Sequence, residues 1–239
     1  MLKHVLCNNF RINYVIACWS GDRRKRDIRY VESREFYLRS HIESLLRLRH
    51  SYVYQITVCV PYNPDESSSF REYLLSLPSV IGNASVVVFE RSNDGLSYGS
   101  LSDVYGCYGN SFGYYIFMED DYVFCLDDFD KIMVRLMRLH INCGYLCGYF
   151  HYGHAGSSCG IFREDCLRAV WNRFGKLPHS RGSNYLMNEA SGQVGQSRAI
   201  IEAGYDIFDT IFCYRTGFRM NDNIIWFGPV EAPPLFIPL

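Results

Sequence analysis

The chain has no run of ~18 apolar residues, so no segment reads as a membrane-spanning helix. It has no CxxC pair, and Cys143 and Cys147 stand too far apart for one, so spacing gives zinc little support. It has no excess of positive charge. Lys and Arg number 24, Asp and Glu 25, and a net charge of −1 removes the bulk electrostatic case for nucleic acid. It has no internal repeat and no low-complexity segment. No signal peptide precedes the first strand, which points to a reducing, cytoplasmic setting with free thiols.

What is present fits a globular protein. The 239 residues suffice for one large domain or two small ones. Aromatic residues reach 16%, more than a core alone demands, so some rings are available to wall a cleft that binds sugar or base. Most of the ten cysteines lie in apolar runs: Cys18 beside Trp19, Cys59 within Thr57–Val60, Cys125 after Val123 and Phe124. They read as small core hydrophobes.

The most informative stretch is Tyr114-Tyr115-Ile116-Phe117-Met118 followed by Glu119-Asp120-Asp121. The apolar run reads as a buried strand. Three carboxylates at its end repel one another and resist desolvation, unless a cation shares the site. Hard divalent ions take oxygen ligands, often one or two carboxylates plus substrate phosphates. The stretch therefore implies a metal–phosphate site at a sheet edge.

The pattern before it alternates. Strands are expected at Asn13–Trp19, Tyr54–Val60, Ser85–Phe89 and Tyr114–Met118, with helices at Val31–Leu45, Ser67–Leu77 and Ser100–Tyr108 between them. That order predicts an α/β fold with a mainly parallel central sheet flanked by helices. Ligands of such sheets bind outside the carboxyl ends of the strands. The basic run Arg23–Arg26 and the polar loop Asn93–Ser100 leave from the same edge as the acids. Beyond Asp121 the pattern loosens. Phe129–Leu139 reads as an amphipathic helix capped by Asp127 or Asp128. Strands at Tyr145–Tyr152 and Cys159–Phe162, a helix at Cys166–Phe174, an irregular stretch 177–195, a helix at Ser197–Ala203, and strands at Tyr205–Phe208 and Ile211–Tyr214 follow. Ala232-Pro233-Pro234-Leu235 reads as the start of a linker. We expect one unit over 1–239, with a nucleotide-sugar-binding half to about 121 and a less regular acceptor-side half from about 122.

This order of elements, with a carboxylate cluster at a strand end, resembles the GT-A glycosyltransferases over Asn13 to about Phe212. Glu119-Asp120-Asp121 resembles their DxD motif, with Glu in the first place. The resemblance implies that Asp121 coordinates Mn²⁺ or Mg²⁺ bridging the donor diphosphate. Glu119 serves as a second ligand through a metal-bound water or, like Asp120, meets the ribose. The loop Asn93-Asp94-Gly95-Leu96-Ser97-Tyr98-Gly99-Ser100 resembles the family's segment beside the donor. Asn93, Asp94 and Ser100 would offer polar contacts, and Gly95 and Gly99 would let backbone approach the ligand. Ser20, Asp22 and Arg23, after the first strand, complete the expected nucleotide site, with a guanidinium matched to phosphate oxygens. Glu189 resembles the late acid that acts as general base in inverting members, with Asp206 and Asp209 next in line. His151 and His154 flank Tyr152-Gly153 and would either ligate metal or contact the acceptor, and the small residues Gly156–Gly160 after them leave room for a sugar ring.

The resemblance implies a metal-dependent glycosyltransferase that moves a sugar from a nucleoside-diphosphate sugar to a glycan or glycoprotein hydroxyl. Size, cysteine and tyrosine content are reminiscent of enzymes that large DNA viruses encode for their capsid proteins, which would act in host cytoplasm. Two alternatives stand beside it: a nucleotidyltransferase or sugar-phosphate pyrophosphorylase, and a non-catalytic carbohydrate-binding domain. Ser20-Gly21-Asp22-Arg23-Arg24 is a poor match to the glycine- and basic-rich signature of the first.

Overall fold

The structure is a computed structural model, and it describes residues 10–18, 34–64, 66–148, 150–151, 154–155, 159–182, 189–209, 218–220, 223–225 and 236–238. The expected strand Ile211–Tyr214, the basic run Arg23–Arg26 and the linker stretch Ala232–Leu235 lie outside them.

The chain forms a mixed α/β structure around one eight-stranded sheet. Its elements are β1 (Ile12–Ala17), α1 (Arg34–Arg47), β2 (Val53–Pro61), α2 (Ser68–Ser76), β3 (Val80–Ile81), β4 (Ala84–Arg91), α3 (Leu96–Tyr108), β5 (Tyr114–Glu119) and β6 (Tyr122–Phe124). Then come α4 (Phe129–Leu139), β7 (Cys143–Cys147), β8 (Phe150–His151), β9 (His154–Ala155), β10 (Cys159–Arg163), α5 (Glu164–Phe174), a π-helical turn (Glu189–Val194), α6 (Gly195–Glu202) and β11 (Asp206–Asp209). Short strands β12 (Phe218–Met220), β13 (Asn223–Ile225) and β14 (Phe236–Pro238) follow.

The sheet order is β11-β7-β10-β5-β1-β2-β4-β3. Only β10 and β3 run against the rest, so the sheet is mainly parallel, as the alternating pattern predicts. Its strands are apolar on both faces because helices cover both. Tyr14, Ile16, Ile56, Val58, Ile116 and Met118 face one layer with Leu38, Phe129 and Met133. Val15, Ala17, Cys59, Tyr115 and Phe117 face the other, with Leu101, Val104, Leu167 and Ile200. Alternation along each strand assigns the side chains to these layers.

Boundaries differ from expectation in instructive ways. α3 begins at Leu96, four residues ahead of the expected Ser100, so half of the expected polar loop is helix. Asp128 occupies the N-cap position of α4 but makes no capping bond; its carboxylate instead holds Lys131 Nζ at 2.8 Å and Arg49 at 3.4 Å. Cys125 follows β6 and is exposed rather than core. Among the described residues no disulfide joins two cysteines, in line with the other expectation for them, and Cys7 and Cys213 lie outside the described residues. β14 pairs antiparallel with β6, setting Ile237 opposite Val123 directly after the acids. Among the described residues no helix is long and apolar enough to cross a membrane.

Two buried polar devices fix the layers. Asp130 of α4 is fully buried, and its Oδ2 accepts the N–H groups of Ser51 at 2.6 Å, Tyr52 at 2.5 Å and Val53 at 3.3 Å. One carboxylate thus ties α4 to the start of β2. In the same layer, Tyr14 Oη and His41 Nε2 of α1 lie 2.7 Å apart. Burial pushes the His41 imidazole down to about 4, against a smaller upward pull from the Asp120 backbone, so it is neutral at pH 7.

Asp130→Ala strips three N–H groups of their acceptor and should cost about 3 kcal/mol in urea unfolding, with Asp130→Asn costing less. A loss under about 1 kcal/mol for the alanine variant would deny the carboxylate this role. For His41 the folded value lies below the unfolded 6.5, so the unfolded chain binds the proton first as pH falls. Its contribution is complete above pH 6.5 and is lost as pH falls toward 4, on the order of 3 kcal/mol in all. Unfolding midpoints from pH 7 to 4 should therefore fall more steeply for the native chain than for His41→Gln. Parallel curves would show that His41 titrates normally.

Candidate functional site

Strand order reverses between β1 and β5. β2 and β4 extend the sheet on one side, β10 and β7 on the other. In open α/β sheets ligands bind in the crevice outside the carboxyl ends of the strands at such a point. The acids stand there. Ala17, last in β1, pairs with Glu119, last in β5, and Asp120 N–H donates to Ala17 O at 3.2 Å. Glu119, Asp120 and Asp121 are 9%, 2% and 7% exposed, so the cluster is a recessed turn and not a solvated one.

Among the described residues no three His, Cys, Asp or Glu side chains converge on a point that would hold a metal ion. Two of these carboxylates with substrate oxygens match the way Mg²⁺ and Mn²⁺ are commonly held, whereas a closed protein cage is not formed.

The loop after β4 leaves the same edge. Pro61 pairs with Arg91, Cys59 with Phe89 and Ala17 with Cys59, so Arg91 and the residues after it emerge level with the acids. Three strand spacings of ~4.8 Å put this loop about 14 Å from the β5 end, so only an extended ligand reaches both. The loop is built around Arg91, which sequence reasoning missed because the expected strand stopped at Phe89. Its buried guanidinium pairs with Asp103 at 2.6 Å and donates to Leu96 O at 3.2 Å and to Asp94 O. Gly182 N–H donates to Asp94 Oδ1 at 3.1 Å, and Gly95 N–H to Gly182 O at 2.8 Å.

The two glycines serve these internal contacts. Gly95 has φ +72°, and a Cβ there would meet the His179 ring at 2.4 Å. A Cβ on Gly99 would meet Asp94 O at 1.9 Å. Both close approaches are to the protein itself, not to space for a ligand. Ser100 is buried inside α3, with its hydroxyl 3.5 Å from Leu96 O. Asn93 is half-buried and Asp94 exposed, so these two retain an outward aspect.

Ser20, Asp22 and Arg23 lie outside the described residues. Glu189 opens the π-helical turn that leads into α6, and Gly192 of this turn packs on the Tyr98 ring of α3. Of the reserve acids, Asp209 ends β11 level with Cys147 at the carboxyl edge; burial of the Cys147 thiol, and next the Asp209 charge, push that thiol up. Asp206 begins β11 beside Asn142 at the opposite edge, so the structure removes it as an alternative base. His151 and His154 are paired in the antiparallel register of β8 with β9.

No protein-family model and no curated protein sequence matches the chain. Solved structures do resemble it. A 4-diphosphocytidyl-2C-methyl-D-erythritol synthase from Anaerococcus prevotii is 7% identical over 86% of this chain and 88% of its own, with a TM-score of 0.48. A second structure of an enzyme so described is 11% identical over 83% and 88%, with a TM-score of 0.45. A CMP:2-keto-3-deoxy-manno-octonic acid synthetase, complexed with CTP, is 12% identical over 83% and 88%, with a TM-score of 0.46. Each is a likeness in chain path only.

Proposed function

We propose that the chain, as one catalytic unit over 1–239, is a metal-dependent transferase acting on a nucleotide-activated sugar, and that it transfers the glycosyl group. The observation that carries this reading is the recessed Glu119-Asp120-Asp121 turn at the crevice where strand order reverses. Asp121 and Glu119 would hold Mn²⁺ or Mg²⁺, with the donor's phosphates supplying further oxygens. The ion, when bound, neutralises charge on the departing diphosphate. Asp120 would meet the ribose. Asn93 and Asp94 bound the far end of an extended donor, and Gly95 and Ser100 shape the loop that carries them. Ser20, Asp22 and Arg23 are proposed for the phosphates on sequence grounds.

The acceptor is the hydroxyl of a glycan or glycoprotein. Glu189 takes its proton, the freed oxygen attacks the anomeric carbon, and the bond from that carbon to the diphosphate oxygen breaks. This order of events inverts the anomeric centre. A second reading is nucleotidyl transfer or sugar-phosphate pyrophosphorylysis, which would use the same crevice with a nucleoside triphosphate and a sugar phosphate.

Titration calorimetry with UDP-, GDP- and CMP-sugars, with and without Mn²⁺, tests the core of the proposal. One donor should bind only with metal, and Asp121→Ala should lose that binding while keeping its circular dichroism spectrum. Glu189→Gln should keep donor affinity and lose ~10²–10⁴ in transfer rate. Release of pyrophosphate from CTP and a sugar phosphate, with no sugar transfer, would assign the second reading. Metal-independent donor binding unaffected by Asp121→Ala would overturn both.

A further inference from the structure

The amino edge of the sheet, far from the acids, has a second concavity of about 280 Å³. Phe10 and Tyr52, which precede β1 and β2, form one wall, with ring centroids 5.3 Å apart. Lys131, Arg135 and Arg138 of α4 form the other, with Val134 between them. The three cations stand at i, i+4 and i+7, which sets them on one outer face, while Phe129, Met133 and Met137 are buried beneath.

A basic helix face is ordinarily solvated, so each cation needs its own account. Lys131 is answered by Asp128 at 2.8 Å. Arg138 lies over the Phe10 ring at 5.3 Å and sits in the last turn of α4, where the helix dipole favours a cation. Arg135 has neither explanation. It is exposed and mid-helix, and no ion pair or hydrogen bond holds it among the described residues. Among the described residues no acid lines the concavity, and the adjacent Asp130 is buried and fully engaged with backbone N–H groups. Two guanidinium groups therefore face an aromatic-walled hollow in which no described carboxylate neutralises them.

That combination selects a ligand chemistry. Guanidinium groups match phosphate oxygens bidentately, more strongly than neutral hydrogen bonds do. Aromatic walls suit a cyclic body. The volume lies at the small end for ligand pockets, which fits a monomer. We propose that this concavity binds a small phosphate ester with a cyclic body, of the size of a sugar phosphate or mononucleotide, without divalent metal. The proposal does not rest on the transferase reading, because the site lies at the opposite edge of the sheet.

The test is calorimetry on the native chain in EDTA, with UMP, glucose 1-phosphate and inorganic phosphate as probes. At least one ester should bind saturably and more tightly than inorganic phosphate, and its affinity should fall with added salt. Arg135→Ala should weaken it about tenfold or more, as should Arg138→Gln. Asp121→Ala should leave it unchanged. Arg135 is exposed, so its variant should melt as the native chain does. No saturable binding of either ester would overturn the proposal, as would equal affinity in the native chain and Arg135→Ala. Loss of binding in Asp121→Ala would also overturn it, by assigning the ester to the acidic crevice.

Discussion

The pairing of β1 with β5 sets where everything else can go. The two strands run parallel in unbroken register from Ile12 opposite Tyr114 to Ala17 opposite Glu119, and both are buried throughout. From this pair the sheet grows outward in two directions. Nothing in the local chemistry of Glu119 makes it a site residue. Being the last residue of β5, beside the last residue of β1, places it at the carboxyl ends of the strands where strand order reverses. The buried apolar runs are thus the cause, and the recessed acids the consequence.

The crevice is costly ground for charge. Three carboxyl groups less than a tenth exposed must retain hydration, gain partners or share a cation. His41 stands behind the turn, but burial keeps it neutral at pH 7. It is hydrogen-bonded to Tyr14 and does not offset the negative charge. Arg91, the buried guanidinium at the same edge, is committed to Asp103 and to two carbonyl groups of its own loop. It acts as scaffolding, and without it the left-handed residues Gly95 and Leu96 would lose the bonds that hold their turn.

The sheet was legible in the sequence because burial on both faces leaves a plain signal, short apolar runs separated by helical spacing. Tyr114–Met118 and the acids after it stood out for the same reason. The loop Asn93–Ser100 was harder. Its glycines were read as making room for a ligand, and the room at Gly95 and Gly99 is filled by His179 and by Asp94 O. A glycine shows that something comes close, and only packing shows what. Asp206 and Asp209 lie three residues apart in a short strand, yet β11 carries them to opposite edges, which composition cannot reveal. Arg91 and His41 gave no signal, since their roles depend on partners distant in the chain or folded back across a turn.

In two helices charge follows the helix ends. α1 has Glu35 in its first turn and Arg47 in its last; α5, which follows the antiparallel strand β10, has Glu164 and Asp165 first and Arg173 last. These placements complement the helix dipole whichever edge they fall on, and they need no ligand to explain them. The acidic turn and Arg135 do not fall under that account. The acids end a strand and belong to no helix, and Arg135 stands at mid-helix, where the dipole offers nothing. A net charge of −1 conceals both, because opposite signs cancel in the sum. The fold separates them, one to the crevice at the carboxyl edge and one to the hollow at the amino edge. Function is best sought at the charges that secondary structure alone does not require.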